Sequence, residues 1–312
     1  MLTVLYAGEA GEWGEYAPAL TQALDAAGVK ARLVLPGAAA PESVDYIVYA
    51  PTGPLSDFAP YSRAKAVLSL WAGVERVVGN QTLTQPLCRM VDEGLERGMV
   101  EWVTGHVLAQ HLRLDFWRGA QDGQWRNDQA APLAAERQVT VLGLGVLGAA
   151  CAGTLAGLGF RVTGWSRSPR ALAGITCLSG PEGLQAALRG AEILVLILPN
   201  TPETENLLNA ETIALLPKGA VVLNPGRGTL IDEAALLAAL DAGALGHAVL
   251  DVFRQEPLPA AHPFWAHPQV TVTPHIAAAT RPSSAARVVA ENIRRGEAGA
   301  PFLHLVDRAR GY

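Results

Sequence analysis

Apolar residues along this chain fall into short dense runs, separated by longer stretches in which they recur every three or four positions. Residues 2–6 (LTVLY), 31–35 (ARLVL), 46–50 (YIVYA) and 65–71 (KAVLSLW) are runs of the first kind and predict strands. An amphipathic helix is predicted from Glu15 to Ala27, with Gly28 marking its end. The alternation resumes further on. Strands are predicted at 139–142, 160–165, 175–178, 192–198, 220–223, 246–252 and 270–273, with helices over 181–188 and from an Asp232 N-cap to about Ala242.

Between the two series lies one long helical pattern, Met99 to Gly119, in which Trp102, Val103, His106, Val107, Leu114 and Trp117 are spaced for one face. It reads as the crossing between two domains, with a polar loop (GAQDGQWRND) behind it, and residues 280–296 read as a helix crossing back. Strands alternating with helices predict doubly wound parallel sheets that bind ligands at the carboxyl ends of their strands.

Composition narrows the partners. With 312 residues, half of them apolar and 17% charged, the chain suffices for two cored domains. A net charge of −5 and a pI near 5.8 argue against nucleic acid or an anionic membrane, but leave small anionic ligands open. Cys88, Cys151 and Cys177 are odd in number and without metal spacing, which suits structural thiols in a reducing compartment. His106 and His111 fit one helical face poorly, so no metal site is expected. The opening MLTVLYAG reads as a strand, not a leader, and no apolar run reaches the roughly 18 residues of a membrane span. A cytoplasmic location is expected.

The chemistry begins at residues 139–168. A buried strand runs into Gly143-x-Gly145-x-x-Gly148, then an Ala/Leu-rich helix, then a second strand to Trp165, the context a dinucleotide-binding turn requires. Gly143 permits the tight turn, Gly145 lets backbone approach a diphosphate, and Gly148 lets helix and strand pack closely. The diphosphate would meet the N–H groups and positive dipole of the helix N-terminus. The second strand ends in Ser166-Arg167-Ser168, where an NAD site would carry an acid for the ribose hydroxyls. A guanidinium between two hydroxyls favours a 2′-phosphate, and so NADPH; the alternative is a solvated turn.

Three polar residues follow other predicted strands: Arg227 after AVVLNPG, Glu256 after DVFRQ and His275 after VTVTP. Reduction of a 2-keto acid needs a hydride donor, an acid for the developing alkoxide and a cation for the carboxylate. An Arg fork supplies the last, and a His beside a carboxylate can serve as the acid. Each alone reads equally as a turn or backbone-bonded residue; their joint occurrence points to a site. Trp71-Ala72-Gly73 also lies at a strand end, either as an anion-binding turn or as a simple strand-to-turn glycine.

These segments together resemble the D-isomer-specific 2-hydroxyacid dehydrogenases, of the glyoxylate/hydroxypyruvate reductase A type. The resemblance covers essentially the whole chain and rests on WAGVE (71–75), LPNTPET (198–204), NPGRGTLIDEAAL (224–236), LDVFRQEPLP (250–259) and TPHIAA (273–278). PLCRMVDEGLERGMVEWV (86–103) and the ending VDRARGY (306–312) add to it. It implies that Arg227 anchors the substrate, that Glu256 orients and charges His275, and that His275 delivers the proton. Backbone at Ala72 and Gly73 would bind the carboxylate, with Trp71 and Tyr49 shaping the side-chain pocket. Gly143, Gly145, Val146, Leu147, Gly148, Ser166, Arg167, Ser168, Leu198, Pro199, Thr204, Asn224, Asp251, His275 and Ala277 would contact the cofactor. The expected architecture is a Rossmann cofactor domain (99–279) inserted into a flavodoxin-like substrate domain (1–98 and 280–312), with NADPH and a small 2-keto acid in the cleft between them. NADH is a weaker alternative cofactor, and a homodimer is expected. Two other readings stay open: a dehydrogenase for a bulkier keto acid such as phenylpyruvate, and a dinucleotide-sensing scaffold without catalysis.

Overall fold

Leu2–Ala7 (β1) opens a sheet that is continued, after helix α1 (Trp13–Ala26), by β2 (Ala31–Val34), β3 (Tyr46–Tyr49), β4 (Val67–Ser69) and β5 (Leu87–Cys88). In this computed structural model, which describes residues 1–308 and 311, the five strands run parallel in the order β2-β1-β3-β4-β5. All four residues of β3 are buried, as a strand covered on both faces demands, which is why its sequence is unbroken apolar. The strand predicted at 65–71 is shorter because the Ser69 hydroxyl bonds both the N–H and the carbonyl of Trp71, curling the backbone into a turn. Strand β5, two residues long, carries no periodicity to read; Cys88 also bridges Leu305 near the chain's end. Ala309, Arg310 and Tyr312, within the VDRARGY segment, lie outside the described residues.

Helix α2 (Glu93–His111) starts six residues before the predicted Met99, because Asp92 accepts a hydrogen bond from the Leu95 N–H and caps it. It stops short of Gly119: Arg113 takes a left-handed φ of 54°, and the separate α3 (Leu114–Gly119) follows. The second sheet is built from β6 (Gln138–Leu142), α4 (Val146–Gly157), β7 (Arg161–Ser166), β8 (Thr176–Ser179), α5 (Gly180–Arg189), β9 (Ile193–Leu196), α6 (Ala210–Ile213), β10 (Ala220–Asn224), α7 (Glu233–Asp241), β11 (Leu245–Leu250) and β12 (Val270–Val272). Asp232 caps α7 by accepting from the N–H groups of Ala234 and Ala235. Helix α8 (Pro282–Glu297) then returns to the first sheet, packing on α1.

The chain thus divides into two compact units, Met1–Leu95 with Thr280–Tyr312, and Glu96–Ala279. The second unit's seven strands are all parallel, in the order β12-β11-β10-β9-β6-β7-β8. Separate apolar cores fill the two faces of this sheet, one around Leu194, Leu196 and Val222, the other around Val139, Val141 and Val195. Strand β6 pairs with both β7 and β9, so strand order reverses there, and the loop after β6 emerges at the switch point where such sheets bind ligands. Among the described residues, no helix is long and apolar enough to cross a membrane.

Candidate active site

Because the second unit's strands are all parallel, the loops following β6, β7, β9, β10, β11 and β12 gather along one edge of its sheet. At the switch point, Gly143 has φ 104°, and a Cβ there would lie 2.1 Å from the Ile197 carbonyl oxygen. A Cβ on Gly148 would lie 1.7 Å from the Gly143 carbonyl oxygen, so this glycine is what lets α4 sit against the turn. Gly145 differs: a Cβ there would meet no protein atom within 4 Å. Packing does not account for this glycine, whereas close approach of a ligand to its backbone would. It is also the N-cap of α4, with neither a side-chain cap nor an acid in the first turn. Val146 is exposed, Leu147 is half-buried, and the helix start is suited to an anion such as a diphosphate.

At the end of β7, the Ser166 hydroxyl donates to the Ser168 carbonyl at 2.8 Å and shapes the turn carrying Arg167. The positive charge of Arg167 contributes to holding the Glu203 carboxyl below its ordinary range, behind hydrogen bonds from the Glu203 backbone and Thr201. Glu203 belongs to the loop after β9, where the Thr204 hydroxyl donates to the Pro199 carbonyl at 2.7 Å and accepts from the Thr201 N–H at 2.9 Å. Thr204 thereby fixes this loop, while Leu198 is buried in the core beneath it.

Asn224, at the end of β10, is buried and builds the next turn. Its amide donates to the Arg227 carbonyl and accepts from the Gly226 N–H. Arg227 sits between two glycines for steric reasons: a Cβ on Gly228 would lie 2.0 Å from the Phe253 carbonyl carbon, and one on Gly226 2.7 Å from the Leu196 carbonyl oxygen. One guanidinium N–H of Arg227 donates to the Gly226 carbonyl at 2.6 Å.

The loops after β11 and β12 bring Glu256 and His275 together. His275 Nδ1 lies 2.8 Å from one Glu256 carboxylate oxygen, and the other accepts from the Phe253 N–H at 3.0 Å. Burial is the largest influence on the Glu256 carboxyl and pushes it up. The hydrogen bonds from His275 and Phe253, with the charges of His275 and Arg227, outweigh burial and hold it below the ordinary range. His275 has φ 54°, the left-handed region a non-glycine residue rarely occupies, and its side chain is 46% exposed. Asp251 is fully buried and holds this loop: its carbonyl accepts from the His275 N–H, and its carboxylate from the N–H groups of Ile276 and Ala277. Asp251 lies on this edge, with its carboxylate engaged by protein backbone.

In the first unit, Trp71, Ala72 and Gly73 follow β4, half-buried, with the Arg76 guanidinium 5.9 Å from the Trp71 ring centre. Tyr49 is 5% exposed and packs edge-on against Phe58 at 5.4 Å, so its ring belongs to that unit's core. Among the described residues, no group of three or more His, Cys, Asp or Glu is placed to hold a metal ion. Sequence reasoning missed the Phe253 N–H on Glu256, the Thr273 hydroxyl on Asp251 and the Trp102 indole on Thr273. Thr273 stood within the TPHIAA segment and Trp102 within the 86–103 segment and on a helical face, but neither pattern marked a link to Asp251.

Residues 105–277 match the family described as D-isomer specific 2-hydroxyacid dehydrogenase, NAD binding domain. A glyoxylate/hydroxypyruvate reductase A of Serratia proteamaculans (strain 568) is 42% identical over 262 residues, which span 80% of this chain and 82% of that protein. A crystal structure of a D-isomer specific 2-hydroxyacid dehydrogenase from Xanthobacter autotrophicus Py2, in complex with NADPH and MES, is 43% identical. It superposes with a TM-score of 0.90 over 100% of this chain and 99% of that one. An NADPH-dependent glyoxylate/hydroxypyruvate reductase from Sinorhizobium meliloti, in complex with NADP and sulfate, is 35% identical, with a TM-score of 0.86 over 100% of both chains.

Proposed function

The chain belongs to the D-isomer specific 2-hydroxyacid dehydrogenase family, and on that footing we propose that it reduces a small 2-keto acid, glyoxylate or hydroxypyruvate, to the D-2-hydroxy acid with NADPH. It is an NAD(P)-dependent oxidoreductase. The observation that carries the reading is the bonded Glu256–His275 pair, with Arg227 in electrostatic reach of Glu256, on the edge that also bears the glycine turn.

When bound, NADPH supplies the hydride that reaches the carbonyl carbon. Backbone from Gly143 to Gly148, including Val146 and Leu147, holds the diphosphate, and Ser166, Arg167 and Ser168 hold the 2′-phosphate. Leu198, Pro199 and Ala277 line the cofactor, while Thr204, Asn224 and Asp251 keep the loops around it in shape. Glu256 occupies Nδ1 of His275, which leaves Nε2 as the atom that gives its proton to the developing alkoxide. The planar fork of Arg227 grips the carboxylate and polarises the carbonyl. Backbone at Ala72 and Gly73 meets the carboxylate, and Trp71 bounds the side chain of the substrate, with Tyr49 supporting it from the core. NADH is the weaker donor.

A homodimer in the cytoplasm completes the reading. Leu112, Leu114, Phe116 and Trp125 expose large apolar surface between residues 112 and 125, which a second copy would cover, and the three cysteines are free. Light scattering on the purified protein tests the dimer.

The function is tested by following oxidation of NADPH and of NADH, each with glyoxylate, hydroxypyruvate and phenylpyruvate. Faster turnover of the two small acids with NADPH supports the whole reading. Turnover with NADH alone removes the 2′-phosphate site and keeps the reductase. Faster turnover of phenylpyruvate reassigns the substrate.

A further inference from the structure

The loop that presents His275 is held by a chain of hydrogen bonds running back into the unit. The N–H groups of three successive residues, His275, Ile276 and Ala277, converge on Asp251: the first on its carbonyl at 2.8 Å, the others on its two carboxylate oxygens at 2.9 Å each. Asp251 is fully buried, and its carboxylate also accepts from the Thr273 hydroxyl, which lies 2.6 Å from the oxygen that Ile276 also uses. The Thr273 oxygen in turn accepts from the indole N–H of Trp102 at 3.3 Å, and the Trp102 ring lies 4.3 Å from that of His106, one turn on along α2.

We infer that Thr273 and Trp102 are positioning residues for His275, acting through Asp251. The left-handed backbone at His275 is unfavourable for a residue with a Cβ and persists only where its surroundings determine it more than once. Asp251 supplies that determination, but a carboxylate can rotate about its own bonds. The Thr273 hydroxyl and the N–H of Ile276 share one of its oxygens and set the plane of the group; Trp102 sets the direction of the hydroxyl. The imidazole is therefore fixed from two sides, its ring by Glu256 and its backbone by Asp251. The clasp built by α2 and the end of β12 governs the second. A shift of about an ångström in a reacting group lowers turnover by on the order of a hundredfold.

This inference rests on His275 being the proton donor, so the test carries a readout that does not. Thr273→Val, Thr273→Ser, Trp102→Phe and His275→Gln are compared for kcat, for KM of the keto acid, for NADPH affinity, and for hydrogen exchange at the Ile276 and Ala277 amides. Thr273→Val is expected to lower kcat about ten- to a hundredfold with NADPH affinity nearly unchanged, and to quicken exchange at both amides. Thr273→Ser keeps the hydroxyl and should restore both. Trp102→Phe keeps an aromatic ring, loses the donor and should fall between them, and it tests the idea should Thr273→Val not fold. Wild-type exchange in Thr273→Val and Trp102→Phe would overturn the clasp. Quickened exchange with unchanged kcat, in a protein that His275→Gln inactivates, would overturn its bearing on catalysis. Full turnover by His275→Gln would instead remove the proton-donor reading and, with it, the role assigned to the clasp.

Discussion

His275 Nδ1 and a carboxylate oxygen of Glu256 lie 2.8 Å apart, although the residues are 19 positions apart in the chain and leave different strands. The bond gives the imidazole one defined orientation, with Nδ1 directed at an acceptor and Nε2 directed elsewhere. Glu256 is itself steadied by the Phe253 N–H, so the pair is braced at its base as well as across the gap.

Replacing His275 by Gln keeps a polar side chain of similar reach but removes the titratable proton. We expect kcat to fall about 10²- to 10⁴-fold, the usual contribution of a positioned acid, with NADPH still bound. Steady-state kinetics and fluorescence titration with NADPH check both halves; undiminished turnover would sink the proton-donor role.

Glu256 links the site to pH. Its folded carboxyl lies below the ordinary value, so its ionised form stabilises the folded chain above the unfolded carboxyl's value. That stabilisation is lost as pH falls through the lowered folded value. Urea midpoints of wild type and Glu256→Gln should therefore differ at neutral pH and converge on acidification. A gap that widens in acid contradicts the assignment.

Arg167 carries the choice of cofactor. Removing a charge-assisted contact to a 2′-phosphate by Arg167→Ala should weaken NADPH binding about ten- to a hundredfold and leave NADH binding nearly as it was. Equal weakening of both would show that Arg167 supports the loop without reading the phosphate.

Gly148 tests the turn. A methyl group there would lie 1.7 Å from the Gly143 carbonyl oxygen, too close for any local adjustment to absorb. Gly148→Ala should cost about 2–3 kcal/mol of stability, as overpacked sites do, and abolish NADPH binding. Thermal melting and titration measure the two effects, and a variant with wild-type melting and affinity would refute the close-packing argument.

Arg227→Ala should raise KM for the keto acid and lower kcat together, because the fork acts in both the bound and the reacting state. Arg227→Lys should recover only part of either, since a point charge cannot reproduce the planar grip. Kinetics with glyoxylate distinguish these outcomes, and an unchanged substrate response would count against the clamp.

Local sequence determined the strand-and-helix alternation, the Asp232 cap and the glycine turn. Each depends on the residue and its near neighbours: a run buried on both faces must be apolar, a capping carboxylate acts within three residues, and a φ of 104° at position 143 selects glycine. The Arg227, Glu256 and His275 segments were legible too, as polar residues following apolar strands. Tertiary structure alone decided what those residues touch. Strand β5 exists because β4 and Leu305 flank it, and the bend at Arg113 divides what the pattern joined. Trp102 meets Thr273 across 171 positions, and Asp251 meets Ala277 across 26, because the sheet places the ends of β11 and β12 side by side beneath α2. Periodicity records how a segment is buried; the partner of a hydrogen bond depends on which segments become neighbours, and that is a property of the folded chain.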